Sequence, residues 1–209
     1  ALALPGMAAE HEHTGSHAHD HGDEAAAAEH DHADTTVHEH STEPVVSLAD
    51  ARVTEEQRVA AQDLIDRTTA GMARFSTVES VGAAGYYSIG DAGTGFEHFV
   101  SPEYMGDGIE LDPARIESVV FRVLPDGTRQ LGSAMYILNG GSTMDDVPDI
   151  AGELTTWHDH QNLCWEGGRV VALLDAAGNC ARGTFRPTAP MLHVWMIPHR
   201  CGPLAGIEG

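Results

Sequence analysis

The chain has no lysine: its 11 basic residues are all arginines, set against 32 Asp and Glu, for a formal charge of -21. A surface this acidic repels phosphate backbones, which argues against nucleic acid as a partner. Long apolar runs are missing too, so nothing reads as a membrane span. Nucleophile elbow, phosphate loop and dinucleotide fingerprint are all absent, so no motif names a substrate. Cysteine is sparse, three residues in all, compatible with one disulfide and one leftover thiol.

Histidine is abundant and unevenly placed. Nine of the 14 histidines lie between His11 and His40. That asymmetry divides the chain into a tail and hinge over residues 1–50 and a folded domain over residues 51–209. His11, His13, His17, His19, His21, His30, His32, His38 and His40 recur in a His-acid-His theme within an Ala, Gly and Thr background. No apolar periodicity accompanies them, so the tail cannot offset its ordering entropy and is expected to be disordered. Neutral imidazoles with interleaved carboxylates make many weak, exchangeable sites for additional metal ions, which leave as pH falls below about 6.5. The competing reading is a solvated acidic linker with no metal role. Pro44 and the polar stretch to Asp50 read as the hinge. The start at Ala1-Leu2-Ala3-Leu4, apolar and without an initiator methionine, suggests processing and the remnant of a signal region, though no basic segment precedes it.

In the domain, Thr54-Glu55-Glu56-Gln57 has the form of a capping box. Val59, Leu64, Ile65, Met72 and Phe75 follow at helical spacing, predicting an amphipathic helix of about five turns. Val78 to Ala84 predicts a second short helix closed by Gly85. Extended segments are predicted from Tyr86, over Phe96 to Val100, over Ser118 to Leu124 and Gln130 to Leu138 joined by a Pro-Asp-Gly-Thr loop, over Arg169 to Leu174, over Gly183 to Arg186, and over Met191 to Ile197. This is an α+β pattern: an N-terminal helix packed on a largely antiparallel sheet.

The densest chemistry lies in Thr155 to Glu166, with two histidines, a cysteine, two tryptophans and two carboxylates. On a strand, His158 and His160 aim at one side and Asp159 away from it, which suits a first-row transition metal. His193 lies on the last predicted strand and shares a face with Trp195. On the Phe96 to Val100 strand only one of Glu97 and His98 faces a given site; His98 is the favoured ligand and Glu97 the fallback. Trp157 and Trp195, each near a histidine, suggest an apolar wall that limits water. Each histidine taken alone reads as an ordinary core histidine; four on β-rich segments shift the balance toward a metal. His199, after Pro198, reads as exposed. Cys164 and Cys180 flank a predicted strand and are expected to pair, with Cys164 as a thiolate ligand the competing reading in a reducing compartment.

Several motifs, Glu97-His98-Phe99-Val100, Leu111-Asp112-Pro113, Trp157 to Cys164, Met191 to Trp195 and Gly202-Pro203, resemble those of a family of uncharacterised exported bacterial proteins, over about Thr54 to Ala205. The resemblance implies an exported location and no particular reaction. His158-Asp159-His160 followed by Glu166 also resembles the first cupin metal motif, although the five residues between His160 and Glu166 exceed that motif's spacing by one or two and the glycines fall elsewhere.

The expectation is an extracytoplasmic protein that binds and handles zinc or copper. One ion per domain would be held by His158, His160 and His193 with His98 or Glu97 fourth, and a metal transporter or metal-receiving protein is the expected partner. The alternative is a mononuclear metal-dependent hydrolase or oxidoreductase using the same histidines, with Glu166, Glu97 or Asp159 as general base. In a third reading the histidines are structural and the domain is an interaction module.

Overall fold

Helix α1 (Glu55–Met72) begins at the expected capping box: Gln57 N donates to Thr54 Oγ1 at 3.2 Å, and Thr54 N donates to Gln57 Oε1 at 3.1 Å. The computed structural model describes residues 43–206, so the tail histidines and the disorder expected of them lie outside the described residues. The buried stripe of α1 is Ala61, Leu64, Thr68 and Met72. Val59, read as part of that stripe, is 61% exposed. It sits two positions from Ala61, about 200° around the helix, so one cannot be buried on the face of the other. Helix α2 (Val78–Ala83) is followed by Gly85 at φ 91, a left-handed position that glycine occupies without steric cost.

Eight strands follow: β1 (Tyr87–Ser88), β2 (Phe96–Val100), β3 (Ser118–Val123), β4 (Arg129–Ile137), β5 (Leu163–Glu166), β6 (Arg169–Leu173), β7 (Thr184–Phe185) and β8 (Met191–Trp195). They form a five-stranded sheet in the order β1-β2-β3-β4-β8 and a three-stranded sheet in the order β6-β5-β7. Every pairing is antiparallel, so the domain combines helix with antiparallel sheet. Among the described residues α1 is the only helix of seven residues or more, which makes the fold richer in sheet and loop than in helix.

Side-chain alternation gives the larger sheet two unlike faces. Phe99, Val119, Phe121, Ala134, Tyr136, Leu192 and Val194 share the main core with Ala61, Leu64 and Met72 of α1. Thr68 and Tyr136 meet there through their hydroxyls at 2.7 Å. Each large apolar side chain buried in this layer contributes about 1.5–3 kcal/mol. The opposite face carries a smaller cluster of Val120, Met135 and Met191, with Phe96 and Ile137 against it. His98 lies across from Val120, and His193 across from Met135, so both histidines stand on this second face.

The stretch from Pro44 to Asp50, read as a hinge, is anchored to the domain at Val45. Val45 is 4% exposed within the main core, and Arg52 Nη1 donates to Glu43 O at 2.8 Å. Cys164 and Cys180 form a disulfide with Cα atoms 5.8 Å apart, tying β5 to the turn after β6. Cys201 is a half-buried free thiol.

Candidate metal centre

The His-x-His stretch is not a regular strand, which corrects the expectation for residues 157–160. The chain from Thr155 to Gln161 is irregular apart from one bridge, in which His158 N donates to Met191 O at 3.0 Å and Met191 N to His158 O at 2.7 Å. Two residues on, His160 N donates to Thr188 Oγ1 at 2.8 Å and Thr188 N to His160 O at 3.1 Å. These bonds lay the segment alongside residues 188–191. The two rings come to 5.3 Å between centroids, edge to face.

The C-terminal segment backs this arrangement. Thr156 N donates to Leu204 O at 3.0 Å, and Trp195 N to Pro203 O at 2.9 Å. A Cβ on Gly206 would lie 2.5 Å from Thr156 O and 3.2 Å from His158 Nδ1, so only glycine allows so close an approach.

The remaining two imidazoles rise from the sheet. His193 is fully buried on β8, and its Nδ1 lies 2.8 Å from Ser133 Oγ on the neighbouring strand. His98 is 9% exposed on β2. Its Nδ1 lies 2.6 Å from Asp91 Oδ2, while its backbone N donates to Asp91 Oδ1 at 3.0 Å. Anchoring Nδ1 orients each ring and makes Nε2 the nitrogen turned away from the anchor, the arrangement found where histidine binds metal.

The four rings form a series. His98 and His193 have centroids 5.9 Å apart, His193 and His158 5.3 Å, and His158 and His160 5.3 Å. A zinc-bound imidazole nitrogen about 2.0 Å from the ion places its ring centroid roughly 3.2 Å away, so tetrahedral neighbours have centroids about 5.2 Å apart. The three consecutive pairs of the series lie at or above that figure, at 5.3 to 5.9 Å. Among the described residues, no group of three or more His, Cys, Asp and Glu side chains is arranged as a metal would hold them.

The carboxylates of the sequence reading lie elsewhere. Glu97 alternates with His98 and turns from the histidine face, accepting bonds from Arg129 Nε and, at 2.6 Å, from Ser88 Oγ. Glu166 is an exposed residue paired with Arg182. Asp159 accepts from Gln161 Nε2 at 2.6 Å. The carboxylate beside the cluster is Asp91, which no local motif marks.

Trp195 forms the expected wall, stacked on His193 at 5.1 Å and 14°. Its other neighbour is His199, at 4.5 Å and 18°; His199 is half-buried rather than exposed because the Pro198 turn folds it back over the indole. Trp157 joins the main core instead and donates through Nε1 to Pro148 O at 3.3 Å. His98 and His160 also border a cavity of about 690 Å³ between the two sheets. Compared with family models, curated proteins and solved structures, the chain matches none.

Proposed function

We propose that the domain binds one transition-metal ion, zinc or copper, through His158, His160 and His193 with His98 fourth, and serves in extracytoplasmic metal handling. The observation that carries this reading is the gathering of four imidazoles from three chain-distant segments, two of them anchored through Nδ1 by Asp91 and Ser133. Neutral imidazole suits both zinc and copper. The ion-pairing of Glu97 with Arg129 favours His98 over Glu97 as the fourth ligand.

An exported location is supported by the Cys164–Cys180 disulfide, because such bonds persist in oxidising compartments. Among the described residues no helix is long and apolar enough to cross a membrane. The tail histidines would raise the local supply of ions for a metal transporter or metal-receiving partner.

The test is elemental analysis of the full chain and of a chain lacking residues 1–42, cut before Glu43 so that the bond from Arg52 is kept. The truncated protein should lose weak multi-ion binding and retain one tight equivalent. A truncated domain that binds no metal overturns the site.

A metalloenzyme using the same histidines is the second reading, favoured by the cavity that reaches His98 and His160. Hydrolase and oxidase screening of the loaded protein separates the two.

A further inference from the structure

The cavity between the sheets is larger than a metal site needs. An open coordination position holds a water or two, and liquid water occupies about 30 Å³ per molecule. At about 690 Å³ the cavity falls instead within the range of sites for small organic molecules. Its walls are mainly apolar: Met105, Met135 and Ile137 on the side of the larger sheet, Leu163, Val170 and Leu173 on the side of the smaller.

The polar groups on the lining are few. Asp91 is held by His98 at 2.6 Å. Arg186 is the arginine on the lining, and among the described residues its guanidinium makes no ion pair, in a chain with 32 acids for 11 arginines. Six other arginines are paired with carboxylates; of the five that are not, Arg186 is the one on the cavity lining, which puts a cation at its mouth for an incoming anion. Two residues on, Thr188 Oγ1 accepts the His160 N–H, which leaves the Thr188 hydroxyl hydrogen to donate.

We infer that this cavity binds an amphipathic organic carboxylate, its anion at Arg186 and Thr188 and its apolar body between the sheets. Guanidinium matches carboxylate through two parallel hydrogen bonds, and the flexible thioethers of Met105 and Met135 adapt to varied apolar shapes. The assignment does not depend on a bound metal.

The experiment is calorimetric titration of the full-length protein, metal-free and zinc-loaded, with decanoate, and with 1-decanol and decylamine as neutral and cationic counterparts of the same chain. Decanoate should bind saturably at one per chain, decanol about tenfold or more weaker, and decylamine not at all. Arg186→Gln, a change at an exposed position, should bring decanoate down to the decanol level. Val170→Trp, which narrows the cavity at its apolar wall, should weaken binding of both while thermal melting confirms the fold. Absence of saturable decanoate binding overturns the inference, as does equal binding of decanoate and decanol that Arg186→Gln leaves unchanged. Metal content of the same samples tests the metal site separately.

Discussion

His98 Nδ1 and Asp91 Oδ2 lie 2.6 Å apart, and the same carboxylate accepts the His98 backbone N–H through its other oxygen. Asp91 therefore fixes both the ring and the strand that carries it. Asp91→Asn keeps the shape but weakens the acceptor, and metal affinity should fall about 10- to 100-fold with the fold intact. Competition with a chromophoric chelator reads the affinity, and a melting curve reads the fold. Unchanged affinity would remove His98 from the ligand set.

His160→Ala deletes one imidazole, keeps the backbone bonds that tie position 160 to Thr188, and leaves the main core untouched. Metal binding should collapse while the melting temperature of the metal-free protein stays within a few degrees of the parent, because the core does not rely on the ion. A variant that retains a full equivalent of tight metal sinks the site.

Glu166→Gln discriminates handling from catalysis. The side chain is exposed and paired with Arg182, so stability should change by less than about 0.5 kcal/mol and metal content not at all. An enzyme that used Glu166 as its base would keep the metal and lose turnover by roughly 100-fold.

The disulfide joins positions 16 apart in sequence, and its closure restricts the unfolded chain. Replacing Cys164 and Cys180 together with serine should lower unfolding stability by roughly 3 kcal/mol in urea titrations, by the chain-entropy account. Peptide mapping without reductant that finds Cys164 as a free thiol would return the thiolate-ligand reading to consideration.

Glu117 is 1% exposed, accepts a long bond of 3.4 Å from Ile137 N, and has no hydrogen-bond partner for Oε1 among the described residues. Burial pushes its carboxyl from 4.5 up to about 8. Between those values the folded protein keeps a proton that the unfolded chain has released, so stability falls as pH rises through the window and levels off above it. Glu117→Gln should remove this fall and stabilise the metal-free protein by roughly 2–4 kcal/mol at pH 9 relative to the parent. Parallel stability profiles for the two proteins would show that Glu117 ionises freely in the fold.

Local patterns account for what could be read from the residues in advance. The capping box starts α1, and the Pro-Asp-Gly-Thr loop joins β3 to β4, because both are set by neighbours a few positions apart. Period-two alternation on β2 separates Glu97 from His98 for the same reason. What eluded the sequence is long-range. Ser133 lies 60 positions from the histidine it anchors, Asp91 sits in a loop with no motif, and Thr188 and Met191 hold the His-x-His segment in place of a regular strand. Val59 shows the complementary failure, since helical spacing identifies a periodicity but tertiary contact decides which residues of it are covered.

The indole of Trp195, stacked against the imidazoles of both His193 and His199, gives the protein an optical readout of its own. An excited indole loses emission to a protonated imidazole in contact with it, and to a paramagnetic or heavy ion a ring away. His199 stacks on it at 4.5 Å and His193 at 5.1 Å, so changes at the half-buried ring and at the buried one both reach the same fluorophore. Copper held by His193 would quench the Trp195 share of the emission of three tryptophans, and zinc would leave most of it. Titration with either ion can thus be read in real time, without labelling, as a test of whether metal reaches the histidine cluster.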